Sequence, residues 1–154
     1  MKKTLFALLA GLFVLVSCNK NNGPDNIDLS GEWHLESFYS LDAEKADIDV
    51  YISFEKEDGT FAIYQKLGGG HYTEYKGTYS TSGNVATGKY SDGTAWACDY
   101  DVTIDGDTMT LVTKGLSEEE TCIYVRTAIP SEVKQDAWDY AGTKSVNSPG
   151  MYIL

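Results

Sequence analysis

The chain has 154 residues, 23 acidic against 12 basic, and a formal net charge of −11. That balance argues against nucleic acid or an anionic membrane surface as the partner and suits a basic one. The two histidines and three cysteines form no HxxxH and no Cys/His cluster, and no Gly-rich phosphate loop precedes a helix. No metal or cofactor site is expected, and the chain reads as a non-enzyme.

Residues 1–17 read as a secretory signal peptide, with a short positive start, the apolar run "TLFALLAGLFVLV", and "SC" directly after it. Leu15-Val16-Ser17-Cys18 resembles a bacterial lipobox. The resemblance implies cleavage before Cys18 and acylation of it, so that acyl chains hold the new N-terminus in a membrane. Loss of Lys2 and Lys3 would leave ten basic residues against 23 acids, a net charge of −13. Asn19 follows the cysteine with no acidic run behind it, which by resemblance to lipoprotein sorting signals implies the outer membrane of a Gram-negative cell envelope, on either face. Residues 18–28 are then the acylated cysteine and a polar tether. Residues 29–154 make one domain.

Asp-Gly recurs between alternating apolar runs at Asp58-Gly59, Asp92-Gly93 and Asp105-Gly106. That dipeptide is a strong hairpin signal. Two-residue turns there place Phe54 opposite Ile63, Thr87 opposite Cys98, Val85 opposite Tyr100, and Val102 opposite Met109. Apolar then meets apolar on one face of the sheet. Eight strands follow, over about 31–40, 49–56, 60–66, 71–80, 84–91, 94–104, 108–114 and 121–127. Short connections make neighbours antiparallel. An eight-stranded up-and-down meander with one apolar face closes into a barrel and so removes its edges; a two-sheet sandwich is the competing architecture. Ser131 as N-cap opens a short helix within 130–141, and an apolar "MYIL" ends a tail with no usable period.

If the meander closes, strand one neighbours strand eight. Trp33, at the start of the first, then meets Arg126, at the end of the last, at what is termed the closed end. A guanidinium over an indole contributes roughly 0.5–2 kcal/mol. Gly31-x-Trp33 with Arg126 on an eight-stranded meander resembles the signature of the lipocalins, within the calycin superfamily. The whole plan is similar to the lipocalin-like lipoproteins of Gram-negative bacteria. A helix after the last strand fits the resemblance, and a monomer is expected; the Trp33–Arg126 pair bears on the fold and not on the cargo. Loops at the open end are short for a roofed cavity.

The expected inward set includes Leu35, Tyr39, Gln65, Tyr75, Val85, Thr87, Trp96, Cys98, Tyr100, Cys122 and Tyr124. Tyr39, Gln65, Tyr75, Lys89 and Trp96 fall toward the open end, where an aromatic mouth with a few polar groups suits a small apolar or aromatic ligand. An interaction protein or inhibitor, using its acidic surface on a basic protein, is the alternative. "TKG" at 113–115 is similar to part of a motif of periplasmic lysozyme inhibitors, with Met109 where that motif has Tyr. Cys98 and Cys122 invite a disulfide in an oxidising compartment, but the registers set them two strands apart, beyond the reach of a bridge unless strand seven ends before Thr113.

Overall fold

The computed structural model describes residues 25–39 and 47–140. Cys18, the signal peptide, most of the tether and the tail from residue 141 lie outside the described residues. Eight strands run in chain order: β1 (Gly31–Tyr39), β2 (Ile48–Glu55), β3 (Thr60–Leu67), β4 (Thr73–Ser82), β5 (Val85–Tyr90), β6 (Asp99–Asp105), β7 (Thr108–Lys114) and β8 (Thr121–Arg126). Each pairs antiparallel with its sequence neighbour, and β1 pairs with β8. The ring is closed. Inside it lie the large apolar side chains, from Trp33, Ile52 and Phe54 to Trp96, Met109 and Tyr124.

The closed end is built around Trp33, which is 0% exposed. Trp33 pairs with Arg126 across β1 and β8, and the guanidinium carbon stands 4.1 Å from the indole centroid. Trp33 Nε1 donates to the Leu29 carbonyl at 2.9 Å, and Arg126 Nη1 donates to the Ser30 carbonyl at 3.1 Å. Gly31 lies between them with φ 122°, a backbone that L side chains rarely adopt. A Cβ there would meet Arg126 Nη1 at 2.3 Å.

The turns differ from the expected two-residue Asp-Gly type. A type I′ turn needs positive φ at both central residues, and among the described residues only glycines take it. Between β2 and β3 the connection is therefore four residues, Lys56–Gly59, with Phe54 opposite Phe61 and Ile52 opposite Ile63. Between β6 and β7 it is Gly106-Asp107, with Gly106 at φ 58° as the first central residue. Val102 then faces Leu111. Both shifts are even, so the inward faces survive.

The β5–β6 shift is odd. Tyr90 N donates to the Thr94 carbonyl at 2.7 Å and Gly93 N to the Tyr90 carbonyl at 2.9 Å. The turn is thus three residues, Ser91–Gly93, and the face of β5 is reversed. Ala86, Gly88 and Tyr90 point inward; Val85, Thr87 and Lys89 do not. Ala86 faces Tyr100, and Val85 faces Asp101. Residues 96–98 leave the ladder before β6 begins.

A register shift between Leu35 and Ser37 has the same effect in β1. The bulge turns Phe38 toward the core and Tyr39 outward, 63% exposed.

The expected helix over 130–141 is shorter. α1 covers Ser131–Asp136 and its N-cap is Pro130, not Ser131. It packs outside the barrel, where Ile129 and Val133 join Tyr64 in a second cluster with Tyr51, Ala62 and Tyr72. Glu32 fastens it, accepting from Ile129 N at 2.7 Å and Lys134 Nζ at 2.5 Å. From Ala137 the chain is extended, because its amides find carbonyls at and just before the start of β4. Trp138 N donates to Tyr72 at 2.9 Å and Tyr140 N to Glu74 at 3.0 Å. This makes β9 (Trp138–Asp139), parallel to the start of β4. Trp138 is exposed and stacks on His71, 4.8 Å between centroids.

Candidate functional site

Of the five residues expected at the mouth, the structure brings three to the interior. Trp96 and Gln65 are buried, and Tyr75 is half-buried against the core. Tyr39 points out at the end of β1, and Lys89 lies exposed on the outer face of β5. There it lines an outer groove of about 570 Å³ with Thr60, Lys76 and Thr78. The two misses have physical causes, the bulge in β1 and the three-residue turn.

Inside, aromatic rings form a continuous series. Tyr75 meets Tyr90 with centroids 6.2 Å apart, Tyr90 meets Phe61 at 5.7 Å, Phe61 meets Trp96 at 5.3 Å, and Trp96 meets Tyr100 at 5.9 Å, all edge to face. That is the preferred arrangement of ring quadrupoles. Gly88 makes room for it: a Cβ there would stand 2.5 Å from the Trp96 ring. Tyr90 is the member that sequence reasoning missed, since it sat on the wrong face of β5. Tyr140 is the other. It packs tilted against Tyr75, 4.9 Å between centroids, and closes a crevice shared with Tyr90, Ser91 and Thr94. The crevice holds about 10 Å³, room for roughly one water.

Two polar atoms in this aromatic interior are buried without a hydrogen-bond partner, Trp96 Nε1 and Tyr124 Oη. Tyr124 is 0% exposed. Burial drives its phenol well above the ordinary range, with Cys122 and Tyr100 adding to the effect, so it stays a neutral donor. Burial likewise raises Tyr100. Leaving such a group unsatisfied costs about 1–3 kcal/mol. Sequence reasoning placed both side chains inward, but no sequence pattern marks an orphan donor.

The two cysteines stand as free thiols, Cys98 half-buried and Cys122 buried. The expected chain of facing residues through Thr113 does not form: Thr113 faces Tyr100 and Cys122 faces Leu111. Burial pushes the Cys122 thiol up to about 12, so it is not a thiolate nucleophile at neutral pH. On the outer wall, His34 Nε2 lies 2.8 Å from Asp49 Oδ1, and Tyr72 Oη donates to Asp49 Oδ2. The trio ties the β3–β4 connection to β1 and β2, and holds no nucleophile. Among the described residues no cluster of three His, Cys, Asp or Glu side chains could hold a metal ion.

Residues 29–111 match the family model described as a lipocalin-like domain. Among curated proteins no sequence matches. Similar solved structures include one described as the REP1-NXSQ fatty acid transporter, at 15% identity and a TM-score of 0.42, covering 66% of this chain and 98% of that one. Human cRBP IV is another, at 15% identity and a TM-score of 0.41, covering 66% and 99%.

Proposed function

We propose, from the premise that this chain belongs to the lipocalin-like domain family, that it is a lipid-anchored binding module. In this reading it takes a small aromatic or apolar ligand, with one hydrogen-bonding group, at the open end of its barrel. The observation that carries the reading is the pair of orphan polar atoms, Trp96 Nε1 and Tyr124 Oη, in an otherwise aromatic interior. Aromatic walls with a few unsatisfied polar groups are the composition of a small-molecule site. Entry runs through the crevice at Tyr75, Tyr90 and Tyr140. Tyr140 already occupies this place, tilted against Tyr75 with centroids 4.9 Å apart. The packed interior sets the ligand's shape: a compact ring system that displaces Tyr140, not a long chain threaded to the floor.

Titration with a panel of phenols, indoles, fatty acids and sterols tests this, read by tryptophan fluorescence. Trp96 is the reporter, because Trp33 is sealed in the floor and Trp138 lies outside. A compact aromatic solute gives a saturable change that Trp96→Phe abolishes and Trp138→Phe leaves intact. Tyr124→Phe separates recognition from folding. It removes an orphan hydroxyl, so stability holds or rises by about 1 kcal/mol while ligand affinity falls roughly tenfold. No saturable change with any solute overturns the reading.

A further inference from the structure

The large apolar side chains left exposed among the described residues are Tyr39 (63%), Leu67 (46%), Leu116 (47%), Trp138 (65%) and Tyr140 (36%). All five lie at the open end. Tyr39 is the last residue of β1 and Leu67 the last of β3. Leu116 is in the β7–β8 connection. Trp138 and Tyr140 lie beside the start of β4. At the closed end the connections are polar: Lys56–Gly59, Gly83-Asn84 and Gly106-Asp107. Solvation alone does not sort apolar side chains to one end of a barrel. A one-sided apolar rim marks a surface that is covered in use, and aromatic side chains are what protein interfaces enrich.

We infer that the open-end rim is a docking surface for a basic protein with apolar pockets. Charge selects that occupant. Asp47, Asp92, Glu118, Glu119 and Asp139 are exposed at this end. Of the lysines toward this end, Lys66 lies over the Tyr72 ring at 4.9 Å and Lys114 bonds Asp101 at 3.1 Å, while Lys89 is exposed on the outer face of β5; the acids outnumber them. An anionic bilayer is repelled by such a rim, and so is a second copy of this chain. A cationic surface gains on both counts, since acids steer the encounter while Tyr39, Leu116 and Trp138 supply buried apolar area. The two readings share Tyr140 and the same end of the barrel, but the variants of the test alter only Leu116, Trp138 and acids that the ligand reading does not use.

The test uses the purified protein with a Leu/Lys amphipathic helical peptide as the probe. Phosphatidylcholine vesicles and sedimentation of the protein alone serve as the other arms. The peptide binds with an affinity that falls as salt rises. Leu116→Ser with Trp138→Ser weakens it roughly tenfold, and Glu118→Gln with Glu119→Gln flattens its salt dependence. Glu57→Gln with Asp58→Asn, at the closed end, changes neither. All six positions are exposed, so the fold is not at stake, and unchanged thermal melts of the variants verify that. Absence of peptide binding, equal losses from the closed-end variant, preference for the vesicles, or self-association through the rim each overturn the proposal.

Discussion

Arg126 is the chain's only arginine, and its surroundings explain why lysine would not replace it. One guanidinium faces the Trp33 indole, donates to the Ser30 carbonyl, and places Nε 3.7 Å from Asp107 Oδ1. An ammonium has three donors but no flat face to lay on the indole while it makes the other contacts. Thermal or denaturant unfolding should show Trp33→Ala costing about 3–5 kcal/mol and Arg126→Lys about 1–2 kcal/mol. A loss for Arg126→Lys as large as that for Trp33→Ala would mean that the arginine does more than cover the indole. Asp28, just before β1, offers a pH test. Lys56, at 2.6 Å, and the Ser30 hydroxyl and amide hold its carboxyl at about 2. The folded pKa is depressed, so the stabilisation is present above the unfolded value of about 3.9 and disappears as pH falls toward 2. Asp28 is largely exposed, so the effect on stability is small; the midpoint itself is the readout. Carboxyl NMR should place the midpoint near 2, and Lys56→Ala should move it up. A wild-type midpoint in the ordinary range would show that the Lys56 contact does not persist in solution.

Among the elements, the strands were legible because alternation of apolar residues is a long signal, repeated eight times, whereas the Asp-Gly turns gave registers that were each shifted. Parity within a strand was not so secure. One extra residue at Glu36 or in the Ser91–Gly93 turn reverses a face, and neither insertion carries a composition mark. This is why alternation alone sends Tyr39 and Lys89 to the mouth and Tyr90 away from it. Trp33, Gly31 and Arg126 were legible because closure of the meander alone brings the first and last strands together. The orphan atoms were not, because satisfaction of a donor depends on every neighbour in three dimensions. Deleting Glu36 should turn Tyr39 inward, seen as loss of its exposure to iodination or to a phenol-quenching reagent, and should displace Phe38. The tie between α1 and β1 is also testable. Burial raises the Glu32 carboxyl, but Lys134 and the Ile129 amide outweigh that and hold it lower than usual. Glu32→Gln should destabilise by about 1 kcal/mol, and hydrogen exchange should show faster opening of 129–134 with the barrel strands unchanged.

The molecule as a whole has two unlike ends, a sealed polar floor and an apolar, acidic mouth. The described chain enters at the floor through Asn26 and Ile27, which bond to Gly83. If Cys18 is acylated as proposed, the floor is held nearest the membrane and the mouth faces outward. Cys18→Ala should then move the protein from the membrane fraction to the soluble one, and retention of that variant in the membrane would remove the anchor from the model. The edge where β4 begins, at Tyr72 and Glu74, is hydrogen-bonded by Trp138 and Tyr140, some of the latest described residues to be synthesised. A chain halted after Ala137 has all eight strands but leaves that edge bare, and bare edges recruit other strands. Such a truncated chain should fold and then self-associate, with Thr73–Tyr75 as the contact. The short parallel strand would thus distinguish a chain that has passed Tyr140 from one interrupted before it.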